Sequence, residues 1–239
     1  MEMKPDPFFD RRALASVLTL VESGNAPTAP SPGEGFRPRV VGITGGGGAG
    51  KSTLIAALLA HLRKAKLTVA ILASDPQSPR TGGALLGDRI RVPLDPADEG
   101  VFFRSFSTRG APGGISAAVG PAIPWLAAFG FDVVLVETVG VGQDQLAVRD
   151  VVDTLVLVVT PGTGDEIQWQ KAGVIEVADI IVVNKSDLVG ADRVREQVLH
   201  SLSLDPNAEV PPVLNVVATT GAGVAELWEA VEERMKAEG

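Results

Sequence analysis

The stretch Val40–Leu62, "VVGITGGGGAGKSTLIAALLAHL", decides the fold. An apolar, β-branched run ends in Gly45, Gly46, Gly47, Gly48, Ala49 and Gly50. Lys51, Ser52 and Thr53 then open a helical pattern. The spacing fits G-x-x-x-x-G-K-[ST] in the context it needs, a strand before and a helix after. Glycines let the backbone fold round phosphates with successive N–H groups pointing inward. The helix N-terminus adds positive potential. Lys51 is placed to reach the β and γ phosphates. The Ser52 hydroxyl is placed to ligate magnesium, and Thr53 completes the nucleotide-binding set. A glycine-rich turn that merely precedes Lys-Ser is the bland alternative, and the flanking strand and helix weigh against it.

Outward from this turn, short β-branched runs alternate with helical patterns. Strands are expected at 39–44, 68–73, 131–137, 154–160, 180–184 and 213–218, and helices at 51–65, 114–129, 165–177, 191–203 and 223–237. Strands that are apolar throughout suit a parallel sheet covered on both faces. The alternation predicts an α/β P-loop NTPase fold, with a mostly parallel, doubly wound sheet and helices on both faces. Ahead of it, residues 7–24 carry helical spacing, with Asp10 to cap the start and Gly24 to end it. The Pro-, Gly- and Ser-rich "NAPTAPSPGEGFRP" reads as a linker. The expected organisation is an N-terminal helical arm and linker over 1–37, joined flexibly to a nucleotide-binding domain over 38–239.

The strand "IIVVN" runs into Asn184-Lys185-Ser186-Asp187. Asn-Lys-x-Asp is similar to the guanine-reading element of G proteins. A carboxylate at Asp187 can accept from both the ring N–H and the exocyclic amine of guanine, and adenine presents the opposite pattern there. Lys185 would lie along the base and Asn184 would brace the loop. After the sixth expected strand, "VVATTGAGV" resembles the last G-protein loop, with Ala218 and Thr219 offering backbone N–H groups to the guanine oxygen. A plain strand-to-helix turn is the other reading of that stretch.

Acidic residues stand at the strand ends. Asp75 follows "TVAILAS", Asp88 lies in "TGGALLGDRIR", and Glu137 closes "FDVVLVE". With Ser52 they are the candidate magnesium ligands, since magnesium takes carboxylate and water oxygens. Capping or loop bracing is the alternative for each, most evenly for Asp88. In "ETVGVGQ", Gly140 permits a backbone close to the γ-phosphate and able to move when it leaves. Gln143 can orient the attacking water. Lys171, in "PGTGDEIQWQKAG", either reaches the phosphates or is a solvated helix charge. No dedicated base is required, because phosphoryl transfer rests on positioning and charge neutralisation. No arginine finger is evident in cis, which predicts a low intrinsic rate; Arg104 and Arg109, in "FFRSFSTRGAPGG", which reads as a mobile loop, are the residues to test for that role.

Composition bounds the partners. A net charge of −8 argues against a general nucleic-acid binder. The chain has no cysteine and two histidines, His61 and His200, which argues against a nickel-insertion chaperone. A P-loop kinase of small-molecule metabolism would need an acceptor pocket and no guanine loop. No apolar run reaches the roughly 18 residues of a membrane span. The N-terminus is too acidic for a secretion signal, so a cytoplasmic protein is expected.

Taken together, "TGGGGAGKSTL", "DPQSPRTGGALLGDRIR", "FFRSFSTRGAPGG", "DVVLVETVGVGQ", "PGTGDEIQWQKAGVIEVADIIVVNKSD" and "DRRALASVLTLVESG" resemble the MeaB/ArgK/MMAA-type G proteins, within the P-loop GTPases of the SIMIBI class. The resemblance covers nearly the whole chain. It implies GTP/GDP and Mg2+ as ligands, GTP hydrolysis, and an accessory role: gating the loading or repair of adenosylcobalamin in an acyl-CoA mutase of the methylmalonyl-CoA or isobutyryl-CoA type. It also implies switch segments at 77–91, 140–145 and 162–173, the last sensing the mutase. Here that third segment carries Trp169, which can anchor a partner or pack under its own loop. Family members continue into a C-terminal dimerisation arm after the helix that here reads "LWEAVEERMKAEG". A homodimer is one option, without that arm.

Overall fold

The computed structural model describes residues 10–30, 36–75, 95, 97–108, 115–138, 146–162, 174–204 and 210–238. In chain order the elements are α1 (Arg11–Glu22), β1 (Arg39–Gly45), α2 (Lys51–Lys64), β2 (Val69–Asp75), β3 (Val101–Ser107), α3 (Val119–Ala128) and β4 (Val133–Glu137). There follow α4 (Leu146–Arg149), β5 (Thr154–Val159), α5 (Val174–Val177), β6 (Ile180–Asn184), α6 (Ala191–Leu202), β7 (Val213–Val216) and α7 (Val224–Glu238).

The seven strands form one sheet in the order β3-β2-β4-β1-β5-β6-β7. Every pairing is parallel. Helices cover both faces. Leu54, Ile55, Leu58 and Leu62 of α2 share one core with Val41, Ile43, Val156, Val158 and the buried Leu227 and Trp228 of α7. On the other face, α1 and α3 pack over β2, β3 and β4, while α5 and α6 pack over β5 and β6. Strand side chains alternate between the two layers, which is why β1, β4, β5 and β6 read as unbroken apolar runs. The strand order reverses at β1, and the crevice beyond the carboxyl ends there is where such sheets bind ligands.

Two expectations are corrected. "VFFRSFS" is not a loop but β3, an edge strand paired along its length with β2, from Val69↔Val101 to Asp75↔Ser107. Phe102 and Phe106 are buried, whereas Arg104 and Ser105 between them are half-buried, so the period was masked. The arm, moreover, is not loosely attached. Asp10 caps α1 by accepting from the Arg12 N–H, and Gly24 ends it at φ 74°. Leu14, Leu18 and Val21 are buried in the same core as Phe102, Phe106 and Leu126. Their burial is worth about 1.5–3 kcal/mol each. Arg104 donates to Glu22 at 2.9 Å, and Glu22 accepts the Ser107 N–H at 3.1 Å, so α1 is also clasped to the end of β3. The boundary at residue 37 thus divides two stretches that share one core.

Among the described residues, no helix is long and apolar enough to cross a membrane.

Candidate functional site

The turn after β1 is shaped by two close approaches. Gly45 has φ 147°, and a Cβ there would run into the Val158 carbonyl oxygen. Gly50, at φ 89°, is the N-cap of α2, and a Cβ there would strike the Asn184 side-chain amide. Only glycine satisfies both the dihedral and the space. The Lys51 ammonium lies back over the turn and donates to the Gly45 and Gly46 carbonyls at 2.9 and 3.1 Å. Gly47 and Gly48 lie in the same turn, where a Cβ would meet nothing nearby. Ala49 is buried, and Thr53 is exposed on the first turn of α2.

Ser52 is brought to the end of β4. Its hydroxyl donates to Glu137 Oε1 at 2.7 Å, and both residues are buried. A hydroxyl and a carboxylate are hard oxygen donors of the kind Mg2+ takes. Asp75 ends β2, two residues past Ala73, which pairs with Glu137 in register. Asp88 lies outside the described residues. Among those described, no group of three or more His, Cys, Asp or Glu forms a metal cluster.

At the other end of the turn, Asn184 is 1% exposed and joins three elements. Its Nδ2 donates to the Ala49 carbonyl at 2.9 Å, and its Oδ1 accepts the Ala218 N–H at 3.2 Å. Lys185 takes a left-handed φ of 55° and donates from Nζ to the Gly48 carbonyl at 2.8 Å. Ser186 donates to the Val216 carbonyl from its backbone and its hydroxyl, both at 3.1 Å. Asp187 and Thr219 stand exposed beside this junction. The phosphate turn, the end of β6 and the loop after β7 are therefore one bonded unit.

Gly140, Gln143, Lys171, Trp169 and Arg109 lie outside the described residues. Arg104 is engaged elsewhere: besides Glu22 it donates to Thr19 Oγ1 at 3.2 Å and lies over the Phe106 ring, which commits it to α1 rather than to a phosphate. One buried group at this site escaped the sequence reading. Thr160, directly after β5, is 4% exposed. The only signal for it in the sequence was a threonine closing an apolar strand.

Comparison with known proteins agrees with this geometry. The profile of the family described as methylmalonyl Co-A mutase-associated GTPase MeaB matches residues 14–238. A protein of Pyrococcus horikoshii named as a GTPase is 47% identical over 239 residues, which cover 95% of this chain and 74% of the relative. The GTPase ArgK of Escherichia coli is 37% identical, with 93% and 71% covered. The mouse methylmalonic aciduria type A homolog is 39% identical over 199 residues, covering 81% of this chain and 48% of that protein. Among solved structures, a LAO/AO transport system kinase superposes with a TM-score of 0.67 at 26% identity, with 96% and 73% covered. The hydrogenase maturation factor HypB of Archaeoglobus fulgidus, at 21% identity and a TM-score of 0.59, shares the fold.

Proposed function

Because the chain belongs to the MeaB family of methylmalonyl Co-A mutase-associated GTPases and is itself a P-loop GTPase, we propose that it is an accessory protein gating adenosylcobalamin loading or repair in an acyl-CoA mutase. The observation that carries the nucleotide part is the Asn184 junction. One buried amide ties the phosphate turn to the loop that would touch the base, so a bound nucleotide is sensed at both ends at once. The mutase part is supported by the family's description and by the mouse relative's name.

On this reading the backbone of Gly45 to Ser52 holds the phosphates and Lys51 moves onto the β and γ oxygens. Asp187 selects guanine, Lys185 lies along the base, and Ala218 and Thr219 present N–H groups to its oxygen. Ser52, Glu137, Asp75 and Asp88 would hold Mg2+, which supplies neutralisation of phosphate charge when bound. Gly140, Gln143 and Lys171 are assigned to the segments that respond to the γ-phosphate.

The test is GTP hydrolysis at fixed magnesium, alone and with cobalamin-dependent acyl-CoA mutases added in turn. A selective rise with one mutase is expected. Unchanged rates with every mutase, and no co-elution in any nucleotide state, would remove the partnership and leave the GTPase.

A further inference from the structure

Thr160 has a position that its neighbours define. Along β5, Val156 and Val158 lie in the core shared with α2, whereas Leu157 and Val159 face α5 and α6. Alternation carries Thr160 to the α2 face, the face of the phosphate turn. The register places Val158 opposite Gly45 on one side and Val159 opposite Val183 on the other. Continued past these last pairs, the registers set Thr160 level with Asn184 on the β6 side and, on the β1 side, with Gly47, just past Gly45 and Gly46. Its Oγ1 is buried and, among the described residues, makes no hydrogen bond.

A hydroxyl taken out of water without a partner destabilises the state that contains it. The carbonyls of Gly45 and Gly46, which precede that level in the turn, are meanwhile served by Lys51. An ammonium has three protons to share. When phosphates draw it outward, its hold on those carbonyls loosens, and buried carbonyls that lose a donor are costly.

We propose that the Thr160 hydroxyl is a positioning group of the phosphate site, donating to a carbonyl of the Gly45–Gly46 turn when nucleotide draws Lys51 away. The inference rests on the assignment of Lys51 to the β and γ phosphates. It makes Thr160 a residue that destabilises the nucleotide-free protein and stabilises the nucleotide-bound one.

That opposition of sign is the test. Thr160→Val keeps the shape and deletes the hydroxyl; Thr160→Ser keeps the hydroxyl; Thr160→Ala serves if the valine variant does not fold. Each full chain is stripped of nucleotide with a chelator. Its thermal midpoint is then recorded without nucleotide and with saturating GDP and Mg2+, and GDP and GTP affinities are measured by equilibrium titration. In Thr160→Val the nucleotide-free midpoint should hold or rise, GDP and GTP affinity should each fall about five- to tenfold, and the midpoint gain on adding GDP should shrink. Thr160→Ser should restore both. Wild-type affinity in Thr160→Val overturns the inference. So does a nucleotide-free midpoint that falls, because the hydroxyl is then bonded before nucleotide arrives. Failure of the wild-type chain to bind GDP or GTP in the same titration would instead overturn the nucleotide assignment itself.

Discussion

At the amino-terminal edge of the sheet, Asp132, Asp153 and Asp179 each stand one residue before a strand. Each accepts an N–H from the start of the neighbouring strand: Thr68 at 2.7 Å, Val40 at 2.8 Å and Leu155 at 2.8 Å. Arginines hold two of these carboxylates from outside, Arg37 on Asp153 and both Arg149 and Arg234 on Asp179. At the carboxyl-terminal edge the direction of bonding is reversed. There Lys51, Asn184 and Lys185 donate to carbonyls of a turn, at Gly45, Gly46, Ala49 and Gly48. Acceptors fixed on strands make a closed end with nothing to exchange. Donors borrowed by a turn make an end whose bonds an anion can compete for. The same sheet is thus riveted at one edge and left convertible at the other.

The largest effect expected from this contrast is at Asp179, whose side chain is 5% exposed. Asp179→Ala leaves two arginines and the Leu155 N–H without their shared acceptor, and breaking a buried pair of this kind costs about 3–5 kcal/mol. Chemical denaturation should show that loss, while the folded variant binds GDP within about twofold of wild type. A large drop in affinity with stability intact would erase the distinction between the two edges.

The convertible edge should respond the other way. Lys51→Ala removes the cation proposed to neutralise phosphate charge, so GTP turnover should fall about 100- to 1000-fold, or roughly 3–4 kcal/mol. The nucleotide-free protein should lose only about 1 kcal/mol, the net worth of ordinary hydrogen bonds. Steady-state turnover beside a denaturation curve separates the two. A variant that unfolds as readily as Asp179→Ala would show that the turn is as riveted as the far edge.

Asp187→Asn sharpens the comparison within the convertible edge, because Asp187 is exposed and holds nothing together in the described fold. Two hydrogen bonds to one base edge are worth about 1–3 kcal/mol. GTP affinity should fall by that amount with no change in stability. Xanthosine triphosphate, which carries a carbonyl in place of the exocyclic amine, should recover it, because an amide can donate where a carboxylate cannot. Equal loss for both nucleotides would remove Asp187 from base selection.

These two edges were unequally legible in the sequence. The phosphate turn and Asn184–Asp187 announce themselves because their chemistry is local: a glycine demanded by φ, a lysine and a serine at fixed spacing, a polar run closing an apolar strand. The parallel alternation likewise yields six of the seven strands. What stayed hidden depends on partners distant in the chain. β3 is a strand because β2 pairs with it and α1 covers it, and Arg104 within it breaks the pattern while serving the Glu22 clasp. The docking of α1 lies beyond a polar linker that says nothing of where the helix lands. The aspartates before β5 and β6 look like ordinary loop residues, and Asp132 falls inside the strand expected over 131–137, until the sheet brings each beside a neighbour's N–H. Thr160 is silent as well, because nothing in its own segment marks a threonine closing an apolar strand as buried and, among the described residues, unpartnered.

The smallest expected effect tests whether the riveted edge is also the acid-sensitive one. Asp98 sits just before β3 and accepts two hydrogen bonds from Arg63, at 2.8 and 2.7 Å, and one from the Gly100 N–H at 3.0 Å. The Arg63 hydrogen bonds hold its carboxyl below the usual carboxylate value; partial burial pushes the other way, and the Gly100 N–H and the charges of Arg63 and Arg11 add to the lowering. A carboxyl depressed in the folded state is ionised there at a pH where the unfolded chain has begun to bind its proton. Its contribution is therefore fully present above the unfolded value, about 3.9, and is lost as pH falls through the lower folded value. The side chain is 28% exposed, so solvent limits the pair to about 0.5–1 kcal/mol. Asp98→Asn should cost that much at neutral pH, and the gap between the two denaturation curves should close below about pH 4. A gap of constant size down to pH 2 would mean that Arg63 is served as well by an amide, and that the charge of Asp98 contributes nothing to fastening this edge.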